Sequence, residues 1–164
     1  MSQYVRWISA AATALLLLFT ASAHAAKPQR IPPPDQLLDL TFDAGLVCPF
    51  ALRYQELVNN ETTTLLGNGR RRVNGAYEVR LTNTATGASI DVNASGPQFF
   101  TDSGDIEMAV LPGRQLFLLF PTDAGGPGAF LATGHSTLTR DFAAARITSV
   151  SLGGHVTDLC AALT

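Results

Sequence analysis

The chain has 164 residues, 46% of them hydrophobic and 15% charged, with a formal net charge of −2. That balance argues against nucleic acid as a partner, because binding phosphates needs a basic face. Its two cysteines show no CxxC spacing and no adjacent histidine, which argues against a zinc site.

Residues 1–25 read as a secretory signal peptide. Arg6 precedes an apolar run from Ile8 to Ala23 that includes Leu15, Leu16, Leu17, Leu18 and Phe19. Ala23-His24-Ala25 then places small residues at −3 and −1 for cleavage before Ala26. The run falls short of the roughly 20 apolar residues of a spanning helix, and Ser9, Thr13, Thr20 and Ser22 interrupt it. Cleavage removes Arg6 and the single Trp, Trp7, and brings the charge to −3. No later stretch is apolar enough to span a bilayer, so the expected location is secreted or cell envelope. Residues 26–36 read as a Pro-rich tail, since Pro32-Pro33-Pro34 favours an extended polyproline conformation and cannot join a central sheet. Residues 37–164 then form a single β domain.

From Leu37 onward the pattern is period-2 alternation cut by turn residues, the signature of a sandwich or barrel. Leu46, Cys48, Phe50, Leu52 and Tyr54 alternate with Val47, Pro49, Ala51 and Arg53. Thr62 to Leu66 is a β-branched run, and Gly67-Asn68-Gly69 and Asn74-Gly75 supply turns. Between those turns, Arg70, Arg71 and Arg72 read as a solvated loop or a charged guard on an edge. Tyr77, Val79 and Leu81 share one face; Ile90, Val92 and Ala94 share another, ended by Gly96-Pro97. Ile106, Met108 and Val110 follow, stopped by Pro112-Gly113. Leu116 to Phe120 is apolar on both faces, so this strand is expected to be covered on both sides. Pro121 to Gly128 is a glycine-rich hairpin loop. Phe130 to Thr139, Arg146 to Leu152 and His155 to Leu159 complete the strands. Short helical turns are expected at Leu57 to Asn60, at Asp141 to Ala145 and from Asp158. The adjacent Phe99 and Phe100 must point opposite ways, so one of them is either covered by a loop or part of an apolar patch.

An even cysteine count in an exported chain reads as a disulfide, Cys48–Cys160, closing a loop of nearly the whole domain. Such a closure stabilises by about 4–5 kcal/mol on a loop-entropy model. Short turns imply antiparallel neighbours and a meander. With its two ends tied by the disulfide, the meander is expected to close into a small β-barrel, the alternative being a two-sheet β-sandwich.

No residue set carries a recognisable chemistry. His135 and His155 each sit beside glycine, without a carboxylate or thiol at metal-ligand spacing. No Gly-x-Ser-x-Gly elbow is present. Asp102, Asp105 and Glu107 are the best metal candidate, but Gly104 departs from the calcium-loop spacing and a β-turn with solvated carboxylates explains them. Asn60-Glu61-Thr62 and Asn93-Ala94-Ser95 match the N-glycosylation pattern. The expectation is therefore no catalytic, cofactor or metal residues and a non-enzymatic binding or interaction domain. An open-mouthed barrel would have room for a small apolar ligand. The alternatives are a hydrolase using His135 or His155 with Asp102, Asp105 or Asp158, and a structural component of the cell envelope.

The stretch Thr41 to Cys48, the segment Asp158 to Leu163, the turn Thr82 to Gly87 and Gly96-Pro97 together resemble a group of small exported proteins of actinobacterial type. The resemblance implies an exported bacterial β domain, with the glycosylation motifs as chance matches. The group carries no assigned activity to transfer.

Overall fold

Alternation and turn chemistry emerge as strands almost throughout. The computed structural model describes residues 28–164; the expected signal peptide and its cleavage point lie outside the described residues. The strands are β1 (Gln29–Ile31), β2 (Asp39–Phe42), β3 (Leu52–Asn59), β4 (Thr62–Gly67), β5 (Arg70–Asn74), β6 (Tyr77–Asn83) and β7 (Ser89–Asn93). They continue with β8 (Gln98–Ser103), β9 (Ile106–Leu119), β10 (Gly128–Asp141), β11 (Arg146–Ser151) and β12 (Val156–Asp158), followed by one helical turn, α1 (Leu159–Ala162). Asp158 caps that turn by accepting the Ala161 N–H at 3.0 Å.

The domain is all-β and antiparallel, but the expected barrel is not what forms. Two sheets are present. The large one runs β1-β4-β5-β8-β9-β10-β11, with β12 also on β10; the small one runs β2-β3-β6-β7. Among the described residues no pairing joins β1 to β11, so the large sheet stays open, as in the sandwich alternative. The reason lies in the connections. Successive hairpins are dealt to alternate sheets, and the chain changes sheet at Asn60-Glu61, at Gly75-Ala76 and between Asn93 and Gln98. Gly75 is needed at one such crossing, because a Cβ there would run into the carbonyl of Asn60 and the Cα of Glu61.

The disulfide Cys48–Cys160 forms, with Cα atoms 5.4 Å apart across 112 positions. It joins the β2–β3 loop, and not the first strand, to the C-terminal turn α1. Leu46 to Ala51, expected to begin a strand, are loop because Gly45 adopts a φ of +88° and Pro49 lacks an N–H. Leu57 to Asn60, expected as helix, belongs mostly to β3. Part of the Pro-rich tail pairs as well: Gln29–Ile31 is an edge strand on β4, the one sheet position that proline-rich neighbours tolerate.

Two cores result. In the first, Leu52, Tyr54, Val79, Leu81 and Val92 of the small sheet meet Ala129, Leu116, Leu118 and Leu131 of the large sheet, with the disulfide, Leu159 and Leu163. In the second, Ala109, Leu111, Phe117, Leu119, Ala132, Leu138 and Ile147 pack together on the opposite face of the large sheet, which curls around them. The lower half of β9 is therefore covered on both sides, as its apolar run predicts. Pro112-Gly113 does not stop β9. Pro112 lies just past Val110, among the residues of β9 that pair only with β10, so its missing N–H costs no bond to β8.

The sharpest departure is the phase of β9. Ile106, Met108 and Val110 supply the apolar alternation, yet Glu107, Ala109 and Leu111 are the buried set, at 0%, 2% and 4% exposure, while Met108 is 48% exposed.

Candidate ligand pocket

The curl of the large sheet leaves a cavity of about 280 Å³ on its inner face. Its walls come from β5, β8, β9, β10 and β11: Phe100, Leu111, the run Leu116 to Leu119, Leu138 and Ile147, with polar groups from Arg71, Gln98, Glu107, Gln115 and Arg140. Apolar side chains outnumber the polar ones in its lining, but the polar groups supply more of the surface open to a ligand, and its volume falls just below the roughly 300–1,000 Å³ usual for a small-molecule site.

The polar end is a four-residue ionic cluster. Strand register sets Arg71 opposite Phe100, Asp102 opposite Glu107 and Glu107 opposite Arg140. Glu107 is fully buried; it accepts a close bond from Arg71 Nη2 and a second from Arg140 Nη1 at 3.3 Å. Arg71 Nη1 reaches both oxygens of Asp102, at 2.8 and 2.6 Å, and the guanidinium lies 4.3 Å from the Phe100 ring centroid. Burial alone would lower the Arg71 pKa, but the hydrogen bonds from Asp102 and Glu107 outweigh it and hold the group above its ordinary value. Two arginines balance two carboxylates, so the buried charge is compensated. Arg140 stands at the rim with its side chain 42% exposed and a single bond to Glu107, leaving most of its five N–H groups for an acceptor.

The expected metal set is thus separated by function. Asp102 and Glu107 both clamp Arg71, and Asp105 lies in the β8–β9 turn. Among the described residues no group of three metal-ligating side chains forms. The arginine run is not a loop. Arg70 to Arg72 lie in β5, inside the large sheet, and the alternation sends Arg71 inward and its neighbours outward. His135 and His155 are drawn near one another by backbone: the His155 carbonyl accepts the Thr133 N–H at 2.9 Å, and Gly134 and Gly153 let the two segments touch where any Cβ would collide. Neither histidine pairs with a described carboxylate, and Asp158 is spent as the α1 cap.

One further polar cluster escaped the sequence reading. Glu56, 5% exposed, accepts from the Leu38 N–H at 2.9 Å, the Tyr77 hydroxyl at 2.9 Å and Asn59 Nδ2 at 3.2 Å. Tyr77 also bonds the Tyr54 hydroxyl. Burial pushes the Tyr77 phenol up to about 12, and burial together with the Glu56 charge raises the Glu61 carboxyl. These bonds tie the segment entering β2 to the small sheet. Inward phase within β3, at Leu52, Tyr54 and Glu56, was the available signal.

No family model, curated protein or solved structure matches this chain. Among the described residues no helix is long and apolar enough to cross a membrane.

Proposed function

We propose that this protein is an exported, non-enzymatic binding domain that holds one small, largely apolar ligand inside the curl of its large sheet. The cavity carries this reading. Phe100, Leu111, Phe117, Leu138 and Ile147 offer an apolar wall, and Arg140 at the rim offers donors to a polar end group. A hydrophobic wall supplies affinity while one or two placed donors set orientation. No hydroxyl, thiol or imidazole lines the cavity, and its lining carboxylate, Glu107, is engaged by Arg71 and Arg140. The disulfide is compatible with an extracellular location.

Native mass spectrometry of protein purified unreduced from a secreting host tests the reading. An adduct that survives gentle ionisation and disappears on denaturation is expected, or uptake of octanoate where purification has stripped the site. Leu138→Trp, which fills the cavity, should abolish either signal. Failure of the unsubstituted protein to carry or take up any apolar ligand, or equal binding by Leu138→Trp, would overturn it.

A further inference from the structure

The phase of β9 has a consequence on the opposite face of the large sheet. That face packs on the small sheet at Leu116, Leu118, Ala129 and Leu131, and above Pro112 it continues without a cover. Register carries one row across the strands as Arg30, Thr64, Arg72, Phe99, Val110 and Thr137, each opposite the next. The adjoining row runs Arg70, Thr101, Met108 and Thr139. Phe99, Met108 and Val110 are 42%, 48% and 40% exposed, and Leu66, across β5 from them, 44%. Single exposed apolar residues need no explanation, but four gathered on one sheet face mark an interaction surface.

Three arginines stand on this face beside the apolar side chains, and Asp141, opposite Ile106 one row beyond Met108, is a carboxylate on the same face. Arg30, Arg70 and Arg72 form no ion pair with a described carboxylate, because the carboxylates nearest β5, Asp102 and Glu107, are held by Arg71 on the other face. The outer face of the small sheet is the contrast: Arg53 pairs with Asp39 and Arg80 with Asp91. Arg72 Nε is moreover buried without a hydrogen-bond partner, a condition rare in folded proteins. Arg72 borders a hollow lined also by Pro28, Arg30, Thr64 and Leu66. On a chain of net negative charge, an unneutralised arginine group beside unspent apolar side chains fits a surface that offers phosphate and hydrocarbon together.

We propose that this face docks on an anionic lipid surface. A lipid phosphate lies in the hollow between Arg30 and Arg72, and Phe99, Met108, Val110 and Leu66 enter the headgroup boundary. Peripheral binding of this kind adds buried apolar area to charge attraction, and each arginine near an anionic leaflet is worth about fivefold in affinity. The proposal does not depend on the cavity of the inner face.

Sedimentation of the disulfide-bonded protein with vesicles tests it. Binding is expected to equimolar phosphatidylglycerol–phosphatidylcholine vesicles, weakly or not at all to phosphatidylcholine alone, and to be released by high salt. Arg70→Glu/Arg72→Glu should cut the bound fraction at least tenfold (about fivefold for each arginine), with Arg30→Glu/Arg70→Glu as the substitute should Arg72→Glu fail to fold. Phe99→Ser/Met108→Ser should weaken binding at unchanged circular dichroism, and Arg80→Glu, on the small sheet, should leave it intact. No sedimentation, equal binding to neutral vesicles, or indifference to the Arg70 and Arg72 changes would overturn the proposal. So would displacement by glycerol phosphate at the same phosphate concentration, which would identify a soluble anion as the ligand.

Discussion

Removing Arg71 should cost far more than its position in a run of three arginines suggests. Arg71→Met keeps the length of the stem over Phe100 but strands Glu107, which has no exposure to water and only one other bond, 3.3 Å from Arg140. Breaking a buried ion pair by deleting one partner costs about 3–5 kcal/mol. Because Arg140 retains its longer bond, the lower end applies, about 3 kcal/mol. At a urea slope of about 1.5 kcal/mol/M that is a fall of about 2 M in the unfolding midpoint. Arg71→Met/Glu107→Leu removes the stranded charge too; exchanging a buried pair for apolar groups is often neutral or better, so most of the lost stability should return. Equilibrium urea unfolding followed by circular dichroism measures both. A loss below about 1 kcal/mol for Arg71→Met, or a double variant no more stable than the single one, would refute the account of Glu107 as a paired buried carboxylate.

The alkaline limb should be governed by Tyr77. Its pKa is raised from 10.0 to about 12 by burial, so the folded state favours the neutral phenol; the contribution is complete below pH 10 and is lost as pH rises toward 12. Ultraviolet titration of phenolate should show one tyrosine ionising late, and Tyr77→Phe should remove that phase and flatten the fall in stability above pH 10. Cys48→Ala/Cys160→Ala, opening a loop of 112 positions, should lose about 4–5 kcal/mol in urea unfolding; a loss below about 2 kcal/mol would mean that the unfolded chain is little constrained by the bridge. Gly75→Ala forces the Asn60-Glu61 crossing apart and should cost about 1–3 kcal/mol, and a neutral result would show that the two sheet changes have slack there. The acidic limb should involve Asp39 and Asp91, whose carboxyls are lowered by hydrogen bonds from Arg53 and Arg80; any stabilisation they add is present above the ordinary carboxylate range and is lost as pH falls through their lowered values.

Much of the architecture could be read along the chain. Val79 and Leu81, Val92, and the doubly apolar Leu116 to Leu119 all lie where their alternation puts them, and Gly67-Asn68-Gly69 does turn β4 into β5. The pairing Cys48–Cys160 followed from there being two cysteines. The candidate site was less legible. Arg71 looked like one of three equivalent charges, and Glu107 like a turn carboxylate. Their partnership spans 36 positions, and it depends on β5 and β9 flanking β8.

Local sequence therefore determined most of the extended segments and which side chains share a face, because these follow from backbone sterics and a repeat of two, but not the start of β3 or the passage of β9 through Pro112-Gly113. Tertiary structure alone decided which of the two faces is buried and which sheet each hairpin joins. In β9 the apolar phase of Ile106, Met108 and Val110 lost to the phase holding Glu107, Ala109 and Leu111. A carboxylate can occupy a core position once two arginines from distant strands compensate its charge, and no local pattern records where those strands will lie. The same non-local choice left Met108, Val110 and Phe99 exposed to water beside unpaired arginines.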